Sequence, residues 1–304
     1  MKRFVGALMP LLLLAACGTA QAHRLVESIP KATQPAVGRT PLAPVEPSPA
    51  PTQGEPTPTL IPACEEREGT LVATHYPGAV VEMEVPVQVY LPPCYAGDVS
   101  SRYPVLYLLH GYPHDEQHWL GLGLQEHLDR GIGSEGWPPF LVVMPLQPEP
   151  LFTQSDGGPG SYEQEFLEGV IPFIDATYRT VPEAWARALA GISRGGVWAL
   201  EIGLRHADRI GTLAALSPAL VHNSPRPAYD PFVIAGAQEA YPAHIFLSAG
   251  DGEAVFRGEI ERFSEHLQRE GLSHEFLRHP GGHTEASWAG VLDQVLSFVV
   301  DSWQ

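Results

Sequence analysis

The chain has 304 residues and 44% hydrophobic content, enough to bury a full core as one large domain or two small ones. Only 18 Lys and Arg stand against 35 Asp and Glu, a formal net charge of -17. A surface field of that sign repels phosphate backbones and anionic headgroups, so nucleic acid is excluded as a partner.

Lys2 and Arg3, an apolar stretch from Phe4 to Leu14 and small residues before a cysteine form the pattern of an export signal. The stretch is too short to span a bilayer. Leu14-Ala15-Ala16-Cys17 resembles the bacterial lipobox, which implies acylation of Cys17; an ordinary signal peptide cut nearby is the alternative. Residues 1–17 are therefore read as a lipoprotein-type signal, with an extracytoplasmic protein held to the membrane through Cys17. From 18 to 62 the chain is rich in Pro, Ala, Thr, Ser and Glu, too poor in apolar surface to fold, and it reads as an extended tether or a disordered leader. Residues 63–304 form the folded domain. Cys64 and Cys94, an even pair in an oxidising compartment, favour a disulfide at its start over two buried free thiols.

After Cys64, "GTLVATHY" and "VEMEVPVQVYLPP" alternate apolar and polar positions as half-buried strands do. Continuous apolar runs follow at 104–110, 140–146, 187–192, 211–216 and 244–249, which suit parallel strands buried on both faces. Helical spacing marks 163–178, 195–206, 256–270 and 284–303. This alternation predicts an α/β protein with a central, mostly parallel sheet, helices on both faces and antiparallel strands at its N-terminal edge. Two segments, 121–138 and the Pro-rich 222–242, read as loops, and they could wall or cap a pocket.

Gly191-Ile192-Ser193-Arg194-Gly195 satisfies Gly-x-Ser-x-Gly, the nucleophile elbow, where a Cβ at either flank would collide with the neighbouring strand or helix. The match alone is weak, but an apolar strand ends at Ile192 and a helical stretch begins directly after it. Ser193 would then sit at a helix N-terminus, where free N–H groups favour developing negative charge. An acylating serine needs a base late in the chain, and His283 in "HPGGHTEASW" follows a short strand-like stretch and two glycines. The acid belongs after the preceding strand, in "HIFLSAGDGEAV", where both Asp251 and Glu253 are within reach. Two backbone donors complete an oxyanion hole: the N–H of Arg194, after the nucleophile, and that of Tyr112, in the loop after the first central strand. Gly111 there allows the backbone to approach a substrate closely.

Together "YPVLYLLHGYPHDEQHW", "FLVVMP", "FLEGVIPFIDATYRT", "RALAGISRGG" and "PGGHTEASW" resemble the esterase family of α/β-hydrolases that includes esterase D, feruloyl and acetyl-xylan esterases, enterochelin esterases and mycolyltransferases. The resemblance runs from about residue 70 to the C-terminus and implies the α/β-hydrolase fold. The family writes its acid as Gly-x-x-Asp some thirty residues before the histidine; here Gly250-Asp251-Gly252-Glu253 puts Glu at that position, which favours Glu253 over Asp251. Trp119 stands where similar proteins often carry a Trp after the oxyanion loop, and Trp288 follows the histidine loop at the family's spacing with core packing as its simpler role. His114 and His118 are four apart, but "HDEQH" lacks the Glu directly after the first His that a zinc protease motif needs, so no metal is expected and both are read as cleft residues.

These readings predict an exported serine esterase without a cofactor, acting on a small-molecule or polymer-borne ester through an acyl-enzyme on Ser193. Gly111, His114 and Trp119 are candidate substrate contacts. An acyltransferase using the same triad, and a non-catalytic binding lipoprotein of the same fold, are the alternatives. Substrate identity and oligomeric state have no signature in the sequence.

Overall fold

The structure, a computed structural model, describes residues 64–304; the export signal, Cys17 and the stretch 18–62 lie outside the described residues. Eight strands form one sheet: β1 (Thr70–Pro77), β2 (Glu84–Leu91), β3 (Val105–Leu109), β4 (Leu141–Pro145), β5 (Arg187–Ile192), β6 (Thr212–Leu216), β7 (His244–Gly250) and β8 (Glu275–His279). Their spatial order is β1-β2-β4-β3-β5-β6-β7-β8. β1 and β2 pair antiparallel, as do β2 and β4, and every pairing from β4 to β8 is parallel.

Every residue of β3, β4, β5 and β6 is buried, which is why these strands read as continuous apolar runs. Alternate residues feed two separate cores. Val105, Tyr107 and Leu109 of β3 point into one, with the helices 162–177, Arg194–Arg205 and Ala254–Arg269. Leu106 and Leu108 point into the other, with Leu124–Ser134 and Leu292–Asp301. Helices therefore cover both faces, as the period of two along a strand requires. In the first core the Phe166 ring meets Tyr107 edge to face at 5.2 Å, a favourable arrangement of ring quadrupoles.

Three segments differ from the sequence reading. The stretch 121–138 contains the helix Leu124–Ser134, whose Leu124 and Leu128 bury one apolar edge despite two internal glycines. The single helix expected over 284–303 is two, Glu285–Ala289 and Leu292–Asp301, with Gly290 capping the first. In the Pro-rich excursion 222–242, Ile234 and Ala235 are buried in the core, and only short helical turns form around them. The helix expected over 163–178 runs 162–177 with a π-type bulge at Glu165–Val170. That bulge carries Glu165, whose carboxylate accepts the N–H groups of Ala79, Val80 and Val81 and so anchors the β1–β2 turn. Cys64 and Cys94 are bonded to each other, closing the hairpin of β1 and β2 into a covalent loop.

Candidate active site

The loops at the carboxyl ends of β3, β5, β6, β7 and β8 meet over the sheet, the usual place for a site in an open α/β sheet. Ser193 follows β5 directly and has φ 54° and ψ -114°, a strained backbone for a residue with a Cβ, costing on the order of 1–3 kcal/mol. The surrounding chain fixes it: Ser193 N–H donates to Leu216 O (2.9 Å), and its carbonyl accepts from Ala219 N–H (3.0 Å). A Cβ on Gly191 would lie 2.2 Å from the Gly195 carbonyl oxygen, and one on Gly195 would lie 2.4 Å from that of His110. Only glycine lets strand, turn and helix approach this closely.

The hydroxyl so exposed meets His283. Ser193 Oγ is 2.8 Å from His283 Nε2, and His283 Nδ1 is 2.6 Å from Glu253 Oε2. Glu253 Oε1 in turn accepts from Ser217 Oγ (2.5 Å) and from the Gly250 N–H. Burial pushes this carboxyl up, but the hydrogen bonds from His283, Ser217 and Gly250 outweigh it and hold Glu253 below the ordinary glutamate range. It is therefore an anion at neutral pH, able to orient the imidazole and balance a proton on it. Asp251 lies apart: it is exposed and pairs with Arg278 at 2.6 Å on the surface. Of the two candidate acids, the fold brings Glu253 to the histidine.

Beside the serine, the loop after β3 is clamped by side chains. His110 Nε2 accepts from Gln147 N–H (2.9 Å), while the Gln147 side chain donates to His110 O (2.8 Å). His118 Nδ1 accepts from Gly111 N–H (3.2 Å). Burial pushes His110 down to about 4; burial, with His114 and His110 nearby, pushes His118 down to about 3, so both stay neutral acceptors at physiological pH. Arg194 directly follows Ser193 and Tyr112 lines the same cavity as the serine, and their N–H groups donate to no other group among the described residues. The Arg194 side chain turns inward: Nε donates to Phe152 O (3.1 Å) and Nη1 to Asn223 Oδ1 (2.8 Å).

A cavity of about 350 Å3 opens on the serine, lined among others by Tyr112, Thr153, Arg194, His222, Phe256 and His283. A larger cleft of about 540 Å3, between β7, β8 and the last helix, is remote from the serine. The three candidate substrate contacts are not among the residues that line this cavity. Gly111 is buried against Ile192 and Ser193. Trp119 is buried in the core, its Nε1–H donating to Leu109 O at 3.2 Å. His114 stacks on His118 with ring centroids 3.8 Å apart and lies 3.7 Å from Glu285. These two imidazoles and Glu285 have the composition of a metal site. The rings are parallel to within 4°, however, so their in-plane lone pairs cannot converge on one ion. Trp288 is buried and packs perpendicular to His283, at 4.9 Å. Sequence reasoning missed Gln147, which follows β4, Ser217 and His222, both in the connection from β6 to β7, and Phe256, in the first turn of the helix Ala254–Arg269. Only Gln147 carried a signal, a polar residue just after a strand buried along its whole length.

The sheet order and a serine elbow after β5, with its histidine after β8, define the α/β-hydrolase fold. Within that class the chain belongs to the family described as "Putative esterase", whose model matches residues 78–299. It is 31% identical over 204 residues to an endo-1,4-beta-xylanase/feruloyl esterase of Xylanibacter ruminicola; the match covers 62% of this chain but only 27% of that longer protein. Among solved structures, a ferulic acid esterase superposes with TM-score 0.69 at 23% identity, over 78% of this chain and 99% of its own. An S-formylglutathione hydrolase of Staphylococcus aureus superposes with TM-score 0.66 at 17% identity, over 76% and 99%.

Proposed function

We propose that the protein is an exported serine esterase that hydrolyses carboxylic esters through an acyl-enzyme on Ser193. The observation that carries this reading is the unbroken chain from Ser193 Oγ through His283 to the Glu253 carboxylate, with links of 2.8 and 2.6 Å. In acylation the Ser193 hydroxyl proton passes to His283 Nε2 as Oγ bonds to the ester carbonyl carbon. The oxyanion so formed accepts from the N–H groups of Tyr112 and Arg194, and Glu253 stabilises the imidazolium. On collapse the C–O bond to the alcohol breaks and His283 returns the proton to the leaving oxygen. Water then enters by the same steps, releasing the acid and restoring the serine.

The cavity favours an aromatic acyl group. Tyr112, His222 and Phe256 present three rings around a volume suited to one small planar acid. The feruloyl and ferulic acid esterases named above support that choice. A xylanase relative, the basic and apolar N-terminus and Cys17 support export and a lipid anchor.

The test is turnover of p-nitrophenyl acetate and methyl ferulate by the wild type and Ser193→Ala, with a fluorophosphonate probe to label a reactive serine. Turnover and labelling both lost in the variant, with methyl ferulate preferred over methyl hexanoate, is the expected result. Activity that survives Ser193→Ala would refute the mechanism.

A further inference from the structure

Two hydrogen bonds hold the His283 ring at its edges, one on each nitrogen. A ring so held can still swing about the line joining them, and its faces need support. Phe256 provides it: the two rings lie within 14° of parallel with centroids 4.0 Å apart. Trp288 stands perpendicular to the imidazole, and His222 meets the Phe256 ring at 75° with centroids 5.3 Å apart. Glu253 immediately precedes the helix Ala254–Arg269, and Phe256 follows it by three residues. One helical turn thus delivers both the carboxylate on the Nδ1 edge and the aromatic ring on the face.

We infer that Phe256 is a positioning residue for ester hydrolysis, its π face stabilising the positive charge that His283 gains on taking the Ser193 proton. The inference rests on the hydrolase reading above. The face of a phenyl ring carries partial negative charge and attracts a cation within about 6 Å of its centroid. A neutral imidazole gains only dispersion from the same contact. Phe256 therefore binds the protonated state of His283 better than the resting one, and such differential binding lowers the barrier. The other titratable and charged groups around the ring are Glu253 on Nδ1, Arg194 and His222 across the cavity, and His118, His114 and Glu285 beyond Trp288.

The test replaces Phe256 in the full chain with phenylalanines bearing one and then three ring fluorines, which weaken the π face and nearly preserve shape. The readout is kcat and KM for p-nitrophenyl acetate from pH 5 to 9. We expect kcat to fall stepwise, roughly three- to tenfold across the series, with KM unchanged. The acidic limb should move to lower pH by about half a unit, because a less stabilised imidazolium loses its proton more readily. Phe256→Leu should give the same two signs, and Phe256→Trp should restore most of the rate. A flat fluorine series with an unmoved acidic limb, and a Phe256→Leu effect confined to KM, would make Phe256 a cavity wall only and overturn the inference. A wild type without turnover, or an active Ser193→Ala, would instead overturn the hydrolase reading and this inference with it.

Discussion

At the scale of single residues, the two acids one and three positions past the end of β7 divide their tasks by burial and hydrogen bonding. Glu253 is 5% exposed and accepts three hydrogen bonds, whereas Asp251 faces solvent. Glu253→Gln should lower kcat by about 10⁴, as neutralising a triad carboxylate does, while Asp251→Asn should leave the rate within about twofold. Parallel steady-state kinetics on the two variants check this, and a crippled Asp251→Asn would reverse the assignment. Glu201 makes a different prediction. It is fully buried, with Oε1 accepting from Asn223, and burial pushes its carboxyl up to about 8. The unfolded chain ionises this group near pH 4.3, so between that pH and about 8 the folded state holds a proton the unfolded state has lost. Its contribution therefore turns less favourable as pH rises through that window and levels off above it. Glu201→Gln should raise Tm by a few degrees at pH 8 and by little at pH 5, in paired melts. The elbow and His283 were legible in the sequence because their glycines answer a local steric need. Ser217, Phe256 and Gln147 were not, since each acts across the fold on a partner dozens of residues away.

At the scale of elements, continuous apolar runs identified the central strands because burial on both faces leaves no polar alternation to find. The helix Leu124–Ser134 was less legible, since only Leu124 and Leu128 mark its buried edge and two glycines interrupt it. The split of the last helix at Gly290 was hidden too, because a helical period continues on both sides. The tightest junction lies between β5, its turn and the helix Arg194–Arg205. A Cβ at Gly195 would press on the backbone oxygens of both His110 and Leu109, at 2.4 and 2.6 Å, and neither can move without shifting β3. Gly195→Ala should therefore cost about 1–3 kcal/mol or more in chemical denaturation. Activity should fall further than stability, because the same collision displaces the N–H of Arg194 from the serine.

At the scale of the whole molecule, the disulfide closes a segment of 30 residues containing both antiparallel strands. Loop-closure entropy makes this worth about 3–4 kcal/mol. The Cys64→Ser, Cys94→Ser double variant should melt roughly 10 °C lower, and reductant should move the wild type the same way and leave the variant unmoved. The pairing was legible from the even count of cysteines after Cys17 and from the export pattern read at the N-terminus. What it encloses was not, because that depends on β1 occupying the sheet edge.

That enclosure also decides how the domain answers a pull. β1 lies at one edge of the sheet and is hydrogen-bonded there only to β2. Tension arriving along the chain before Cys64 passes through the sulfur bridge to Cys94, and from there along the backbone toward β3 in the middle of the sheet. Residues 65–93 are bypassed, so this edge carries no load. The load therefore enters the sheet at β3, which is gripped on both sides by β4 and β5.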